Sequence, residues 1–119
     1  MYYKTQMAAY KAAEQVRLQL TQPKIWAAHT WENPQGAWHF ELQCGGMSLY
    51  QYGAENGLVY TALLSADPKH VGAGDIFWSP EHRTFPTPNE AVQYQLELAH
   101  DFKNKVDRCL RYLDEQLSD

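Results

Sequence analysis

The fold is decided by residues 37–52, which read AWHFELQCGGMSLYQY. From 38 to 43 apolar side chains alternate with polar ones, with the period of two that a strand with one buried face requires. The Gly-Gly pair at 45–46 is typical of a two-residue hairpin turn, because glycine adopts positive φ without steric cost. The stretch therefore predicts two antiparallel strands joined by a tight turn, with Cys44 paired with Met47.

One further strand is predicted on each side of this hairpin. Residues 25–32 precede the turn signal NPQG at 33–36, and residues 58–64 follow a loop at 53–57 that begins and ends with glycine. Parallel strands need long crossover connections, so connections this short predict a four-stranded antiparallel meander.

These loops imply a register that assigns each side chain to a face of the sheet. The register pairs Glu32 with Ala37 and Tyr52 with Leu58, and it places Tyr50 beside Tyr60. The face expected beneath the helices carries Ile25, Ala27, His29, Trp31, Trp38, Phe40, Leu42, Cys44, Met47, Leu49, Val59 and Leu63. The face turned away from the helices, called the second face, is expected to carry Trp26, Thr30, His39, Glu41, Gln43, Ser48, Tyr50, Tyr52, Tyr60 and Ala62.

Helices are predicted at both ends of the chain. Residues 2–20 contain no helix breaker, and their apolar side chains recur at spacings of three and four before Pro23 ends the segment. Residues 88–117 follow Thr87, a good N-cap with Glu90 three positions later. The apolar stripe of this second helix consists of Val92, Leu96, Ala99, Phe102, Val106, Cys109, Leu110, Leu113 and Leu117.

Together these elements predict a single α+β domain over residues 1–119, in the order α-β-β-β-β-α, with both helices on one face of the sheet. A 30-residue helix is about 45 Å long, whereas a seven-residue strand spans about 23 Å. The C-terminal helix is therefore expected either to break or to extend past the sheet. An overhanging stripe would need to pack against the first helix or against a second subunit.

The composition excludes several classes of protein. Lys and Arg number 10 against 14 Asp and Glu, so the formal net charge is −4, whereas nucleic-acid-binding modules usually carry a basic face. Hydrophobic residues make up 45% and charged residues 20%, as in globular domains. No stretch approaches the length of about 18 apolar residues that a membrane span needs, and no signal peptide is visible. We expect a soluble, cytoplasmic protein that binds neither nucleic acid nor membrane.

The sequence carries no motif for a metal or a cofactor. The two cysteines, Cys44 and Cys109, lack the CxxC spacing of a zinc site, and the five histidines form no HExxH pattern. Glycine-rich phosphate loops and the GxSxG nucleophile motif are also missing. We expect two free, buried thiols and no cofactor.

The second face is the most informative surface, because aromatic rings mixed with hydrogen-bonding groups are enriched at interfaces and ligand sites. Its candidate binding residues are Trp26, His39, Glu41, Tyr50, Tyr52 and Tyr60. Three hypotheses explain them. Two copies of the chain pair through their sheets, or residues 65–87 cover the face with Phe77 and Trp78, or the face binds a small molecule or peptide.

An enzymatic hypothesis rests on His39 and Glu41, which share a face because they are two residues apart on one strand. With Tyr50 opposite Glu41 they could act as an acid–base pair. Ordinary cross-strand hydrogen bonds explain the same three residues more simply. Catalysis would require a concave pocket around both His39 and Glu41.

The sequence therefore predicts a non-enzymatic interaction protein, of the accessory or inhibitor kind, that acts as a homodimer and binds a protein partner. The overhanging helix and the aromatic second face are the reasons for expecting the dimer. The alternatives are a small-molecule binding protein that uses the aromatic face and a small enzyme with the His39/Glu41 pair.

Overall fold

The computed structural model of the protein describes residues 2–54, 57–64 and 83–117. In chain order its elements are α1 (Gln6–Arg17), a short 3₁₀ turn (Pro23–Ile25), β1 (Ala27–Glu32), β2 (Trp38–Cys44), β3 (Met47–Ala54), β4 (Gly57–Leu64) and α2 (Pro88–Leu117). This arrangement confirms the α+β class and the α-β-β-β-β-α order.

The four strands form one sheet in the order β1-β2-β3-β4, and every neighbouring pair is antiparallel, as the short connections predict. The central hairpin has the predicted register, with Cys44 opposite Met47 and Glu41 opposite Tyr50. Gly45 has a φ of 59°, the left-handed conformation that a glycine turn permits.

The predicted register of β1 is wrong by one residue, since Glu32 pairs with Trp38 and not with Ala37. The Asn33 amide donates to the Ala37 carbonyl at 2.9 Å, so the loop proper consists of residues 34–36. Its last residue, a glycine, has a φ of 81°. A three-residue loop that ends in a left-handed glycine is a common hairpin connection. The prediction assumed a loop one residue longer.

The predicted register of β4 is also wrong by one residue, because Tyr52 lies opposite Val59 rather than Leu58. Pairing between β3 and β4 continues past Tyr52 as far as Ala54 and Gly57. Only residues 55 and 56 then separate the paired positions, where the prediction assumed a five-residue loop.

A register shift of one residue moves every side chain of a strand to the opposite face of the sheet. These two shifts therefore reverse the predicted faces of both outer strands, β1 and β4. Four side chains that the prediction places on the second face lie instead on the helix-covered side. They are Trp26, Thr30, Tyr60 and Ala62. The residues that it wrongly assigned to the core are Ile25, Ala27, His29, Trp31, Val59 and Leu63.

The core lies between the helix-covered face of the sheet and the two helices. Leu42 and Leu49 are its largest aliphatic side chains with almost no exposure, and full burial of each leucine contributes about 2 kcal/mol. α1 packs over β1 and β2, and α2 packs over β4 and β3. The inward residues of the two helices include alanines that are completely buried, Ala13 in α1 and Ala91 in α2.

α1 is shorter than predicted at both ends. Tyr3 is extended and exchanges two backbone hydrogen bonds of 2.7 Å with Trp38, so the helix begins only after it. The Thr5 hydroxyl then accepts a hydrogen bond from the third residue of the helix at 3.1 Å. At the other end Arg17 binds Glu14 and donates to the Pro23 carbonyl at 3.0 Å, which holds the 3₁₀ turn against the helix.

α2 begins and ends where the sequence predicts. The Thr87 hydroxyl accepts a hydrogen bond from the Glu90 amide at 3.3 Å and donates to the Glu90 carboxylate at 3.1 Å. All residues from 103 to 117 are exposed, and the chain is 65 Å long. Its radius of gyration is 17.5 Å, against about 13.5 Å for a compact domain of this length. The helix therefore does not break but extends past the sheet.

Both cysteines are free thiols, as expected, but they are not both buried. Cys44 is half-buried at the end of β2, whereas Cys109 is exposed. The prediction for Cys109 is wrong because Cys109 lies in the part of α2, residues 103–117, where every described residue is exposed.

Candidate functional site

The second face is covered at β4 and open over β1 to β3. Thr61 lies on this face opposite Tyr50 and is 2% exposed, and its hydroxyl donates to the Arg83 carbonyl at 2.7 Å. The hypothesis that residues 65–87 cover the face with Phe77 and Trp78 falls largely on residues 65–82, which lie outside the described part of the chain.

Four of the six predicted binding residues lie on the second face, namely His39, Glu41, Tyr50 and Tyr52. Trp26 and Tyr60 do not, because they belong to the buried core. Their predicted placement is wrong for the reason already given, the one-residue shifts of β1 and β4. Trp31, assigned by the sequence to the core, takes a place on this face and is 41% exposed.

Trp31 and His39 form a flat platform at one end of the second face. They are directly opposite each other in the register, and their rings stack with centroids 5.5 Å apart and planes inclined by 19°. Asn33 Nδ2 lies 3.2 Å from His39 Nε2, and this contact holds the imidazole in its plane. The platform is therefore held by contacts within the chain itself.

Glu41 and Tyr50 form the polar middle of the second face. Burial raises the pKa of the Tyr50 phenol above its ordinary value, and Glu41 raises it further by accepting a hydrogen bond and by its negative charge. Gln43 Nε2 donates to Glu41 Oε1 at 2.8 Å, so the carboxylate is held by two neighbours. A hydrogen bond such as that between Tyr50 and Glu41 is ordinary between neighbouring strands.

A shallow hollow of about 230 Å³ opens beside the platform. Its described lining consists of Trp31, His39, Phe40, Tyr50, Gln51 and Tyr52. Sites for drug-sized ligands occupy about 300–1,000 Å³, so this hollow suits a single ring or side chain. Glu41 is not among the described residues that line it, and the pocket around both His39 and Glu41 that catalysis requires is therefore not formed there.

The exposed stripe of α2 has a strict heptad spacing, with intervals of four and three residues in turn. We call this row the α2 seam; it consists of Val92, Leu96, Ala99, Lys103, Val106, Leu110, Leu113 and Leu117. Seven of the eight positions are apolar, over more than three heptads, which is the pattern of a helix that packs against another helix. A single Lys at one seam position is a known device for setting register.

The second half of the seam faces solvent. Leu110 is 54% exposed and Leu117 is 79% exposed, and α1 lies over β1 and β2, away from this part of the helix. The helix faces the sheet instead with Pro88, Ala91 and Gln95, which lie to one side of the seam. An apolar row that leaves the body of the protein in this way is unusual for a monomer.

The first half of the seam borders a larger cavity, an apolar cleft of about 650 Å³ between the end of α1, the sheet and the first turns of α2. Val92 and Leu96 form one wall, and Ile25, Trp26 and Met47 lie on the others. Trp26 therefore borders a cavity after all, although not the one on the second face.

An amide side chain holds the mouth of the cleft in shape. Asn89 Oδ1 accepts hydrogen bonds from the Thr21 amide at 3.0 Å and the Thr21 hydroxyl at 3.2 Å. Asn89 Nδ2 donates to the Gln19 carbonyl at 2.8 Å. These three contacts tie the end of the α1 segment to the start of α2.

The sequence indicates the seam but not the cleft. The seven-residue repeat of Val92, Ala99, Val106 and Leu113 is visible directly in the printed chain. The cleft depends on the space that α1 and α2 leave between them, and no local pattern encodes that distance.

Comparison of the chain with models of protein families, with curated proteins and with solved structures finds no match. None of the described helices has the length and apolar character that crossing a bilayer requires. Over the same residues, no group of three or more His, Cys, Asp or Glu side chains is placed to hold a metal ion.

Proposed function

We propose that the protein is a non-enzymatic interaction protein that acts as a homodimer, joined through the exposed part of α2. The observation that supports this proposal is the α2 seam, in which Val106, Leu110, Leu113 and Leu117 face water along one line. Large exposed apolar patches mark interaction sites in monomeric chains. The heptad spacing favours an α-helix as the occupant over a flat surface.

A second copy of the chain is the simplest source of such a helix. Closed two-fold dimers are by far the commonest oligomers, and their interfaces join the same surface of both subunits. Two seams of equal length then bury each other and need no further component.

Sedimentation equilibrium of the full chain tests the dimer. We expect a mass of twice 13.7 kDa. Leu113→Glu places a carboxylate in the seam, and since burying an unpaired charge is costly, we expect it to weaken association by about 100-fold.

Tyr112→Glu is the matched control, because it adds the same charge at the neighbouring position. Tyr112 is 62% exposed and lies away from the seam, so this variant is expected to remain dimeric. A wild-type chain that stays monomeric at every concentration contradicts the proposal, and so does equal weakening by the two variants.

The hollow on the second face supports a second candidate function, the binding of a small ligand with one aromatic ring. The stacked Trp31 and His39 provide a surface for such a ring, and Tyr50 and Tyr52 supply hydroxyl groups beside it. This function is compatible with the dimer, since the seam and the second face are separate surfaces.

A thermal-shift screen with single-ring aromatic compounds, including aromatic amino acids and nucleobases, tests this second function. A compound that raises the unfolding temperature of the wild type is expected to lose its effect in Tyr52→Ala. His29→Ala, an exposed change on the same face but outside the hollow, is expected to keep the response. If no compound stabilises the chain, or if His29→Ala loses the effect as well, the hollow is not the binding site.

A further inference from the structure

We infer that the two α2 helices of the dimer run antiparallel, so that the C-terminal end of each helix covers the apolar cleft of the other chain. This inference rests on the proposed function, because it specifies how the two copies meet.

The cleft and the seam form one continuous apolar surface. Val92 and Leu96 are the first two positions of the seam, and both also line the cleft. Ile25 lies on the far side of the cleft and is 55% exposed, although the lining around it is largely apolar. An occupant that follows the seam towards the start of α2 therefore reaches the cleft.

An antiparallel pair gives every position of the seam an opposite position in the partner helix. With a two-fold axis beside residues 104 and 105, each heptad position of one helix lies opposite a heptad position of the other, over about 39 Å of helix. The resulting layers join Val92 to the partner's Leu117, Leu96 to the partner's Leu113, Ala99 to the partner's Leu110, and Lys103 to the partner's Val106.

The charges beside the seam favour this orientation over the parallel one. In the antiparallel pair Lys103 and His100 both lie next to the partner's Asp107, so a cation and a hydrogen-bond donor meet a carboxylate. In a parallel pair Lys103 meets the partner's Lys103 in the same layer, whereas the antiparallel register offsets the two lysines by three residues, about 4.5 Å along the axis. The parallel pair also places Cys109 beside the partner's Asp114. Like charges in one layer oppose association, and charges flanking the seam set helix orientation.

The antiparallel arrangement also completes the cleft. The partner's Leu113 and Leu117 come to lie beside Leu96 and Val92, at the mouth of a cavity of about 650 Å³ that one chain leaves open. A parallel pair would carry both C-terminal ends away from both clefts, and Ile25 would remain in water.

Disulfide trapping tests the orientation in full-length chains in which Cys44→Ala and Cys109→Ser remove the natural thiols. One chain carries Ala99→Cys and a second carries Leu110→Cys, and the two are mixed and mildly oxidised. A disulfide needs Cα atoms within about 7 Å, so we expect the mixture to form a linked heterodimer and each chain alone to form none. A second mixture of Leu96→Cys with Leu113→Cys is expected to behave in the same way and tests the end nearest the cleft.

The outcomes separate this inference from the proposed function. Linkage of the Leu110→Cys chain to itself overturns the antiparallel orientation while the dimer stands. A dimer by sedimentation that links in neither mixture shows that the chains meet through another surface and also overturns the inference. A monomer by sedimentation overturns the proposed function, and the inference with it.

A label on the polar side of α2 gives a second measurement that leaves the seam intact. Spin labels attached at Glu115→Cys in the same background are expected about 30 Å or more apart, because the antiparallel register separates the two positions by about 32 Å along the helix axis. In a parallel pair the two labels are separated only laterally, by two helices of about 10–12 Å diameter plus the labels themselves, which is about 25 Å at most. A measured separation below this value overturns the antiparallel pair.

Discussion

Gln95 shows how one side chain can work against the stability of its own helix. It lies in the contact between α2 and the sheet and is 3% exposed, yet its Oε1 accepts no hydrogen bond within the described chain. A buried acceptor without a donor costs about 1–3 kcal/mol, because the water it has lost is not replaced.

Gln95→Leu is therefore expected to raise the free energy of unfolding by about 1 kcal/mol, measured by urea titration. Gln15→Leu, the same change at an exposed position of α1, is expected to alter it by no more than about 0.5 kcal/mol. A loss of stability in Gln95→Leu would show that the amide makes contacts worth more than its desolvation.

Tyr50 makes the stability of the fold depend on pH in the alkaline range. Its pKa is raised from 10.0, chiefly by burial and then by Glu41, so the folded chain holds the phenolic proton more tightly than the unfolded chain does. As the pH rises through 10.0 towards the raised value, the unfolded chain loses this proton first. The contribution is complete below 10.0 and is lost above the folded value.

We expect the free energy of unfolding to fall less steeply above pH 10 in Tyr50→Phe than in the wild type. The slope should not vanish, because burial also raises the pKa of Tyr3. Glu41→Gln removes a carboxylate that raises the Tyr50 pKa and is expected to give an intermediate slope. Identical slopes in all three chains would show that Tyr50 does not couple proton release to unfolding.

Among the elements, loop length decides which side chains of each strand reach the core. The β2–β3 register can be predicted because a Gly-Gly pair between two alternating runs permits one common closure. At 33–36 and 53–57 the number of unpaired loop residues can be odd or even, and the composition of these segments does not distinguish the two cases. For that reason the sequence predicts the wrong faces for Trp31 and Tyr60 and the correct faces for Phe40 and Tyr50.

The helices were easier to predict because their signals are local. Thr87 and Glu90 mark the start of α2 through a capping interaction that needs no distant partner. The sequence predicts the wrong start for α1 because Tyr3 pairs with Trp38, a contact across 35 positions of sequence that outweighs helix propensity. Of the candidate binding residues, those on the central hairpin lie on the predicted face, whereas Trp26 and Tyr60, which lie on the outer strands or beside them, belong to the core.

Gly36 is the residue that sets the length of the β1–β2 loop, and its φ of 81° makes it sensitive to substitution. Gly36→Ala is expected to lower the free energy of unfolding by about 1–2 kcal/mol, the cost of left-handed backbone for an L-residue. No neighbour lies within 4 Å of the added carbon, so the cost is conformational and not steric. Gln35→Ala, one position earlier, is the control for urea titration, and equal losses in both chains would contradict this explanation.

At the scale of the whole molecule, the shape follows from a mismatch of lengths. The α2 helix is about 45 Å long and packs against strands of about 23 Å. Part of the helix therefore projects from the rest of the protein, which is 27 Å wide. Counting residues predicts that the helix either breaks or extends past the sheet, and the structure shows the second alternative. The sequence does not predict what fills the space beside the helix, because this depends on the distance between α1 and α2 where they pack on the sheet.

Hydrogen exchange of the amides in residues 103–117 tests whether the projecting part of α2 is buried in a dimer. An isolated helix of 15 residues is marginal in water, so amides of residues 103–117 should exchange at least about 10-fold faster in Leu113→Glu than in the wild type. Amides of β2 serve as the internal control, because the sheet is the same in both chains. Equal rates for residues 103–117 would contradict burial of the seam.

The two edges of the sheet differ in how they are protected, and this difference bears on aggregation. On the outer side of β4, Phe85 exchanges two backbone hydrogen bonds of 2.8 Å with Tyr60, so a foreign strand cannot pair at that point. The outer side of β1 has no such partner among the described residues, and an unpaired edge is a template for fibril growth. Glu32 is the only carboxylate on that strand. Fibrils formed on heating should therefore nucleate at β1, and this edge is where a lysine or proline would delay them most.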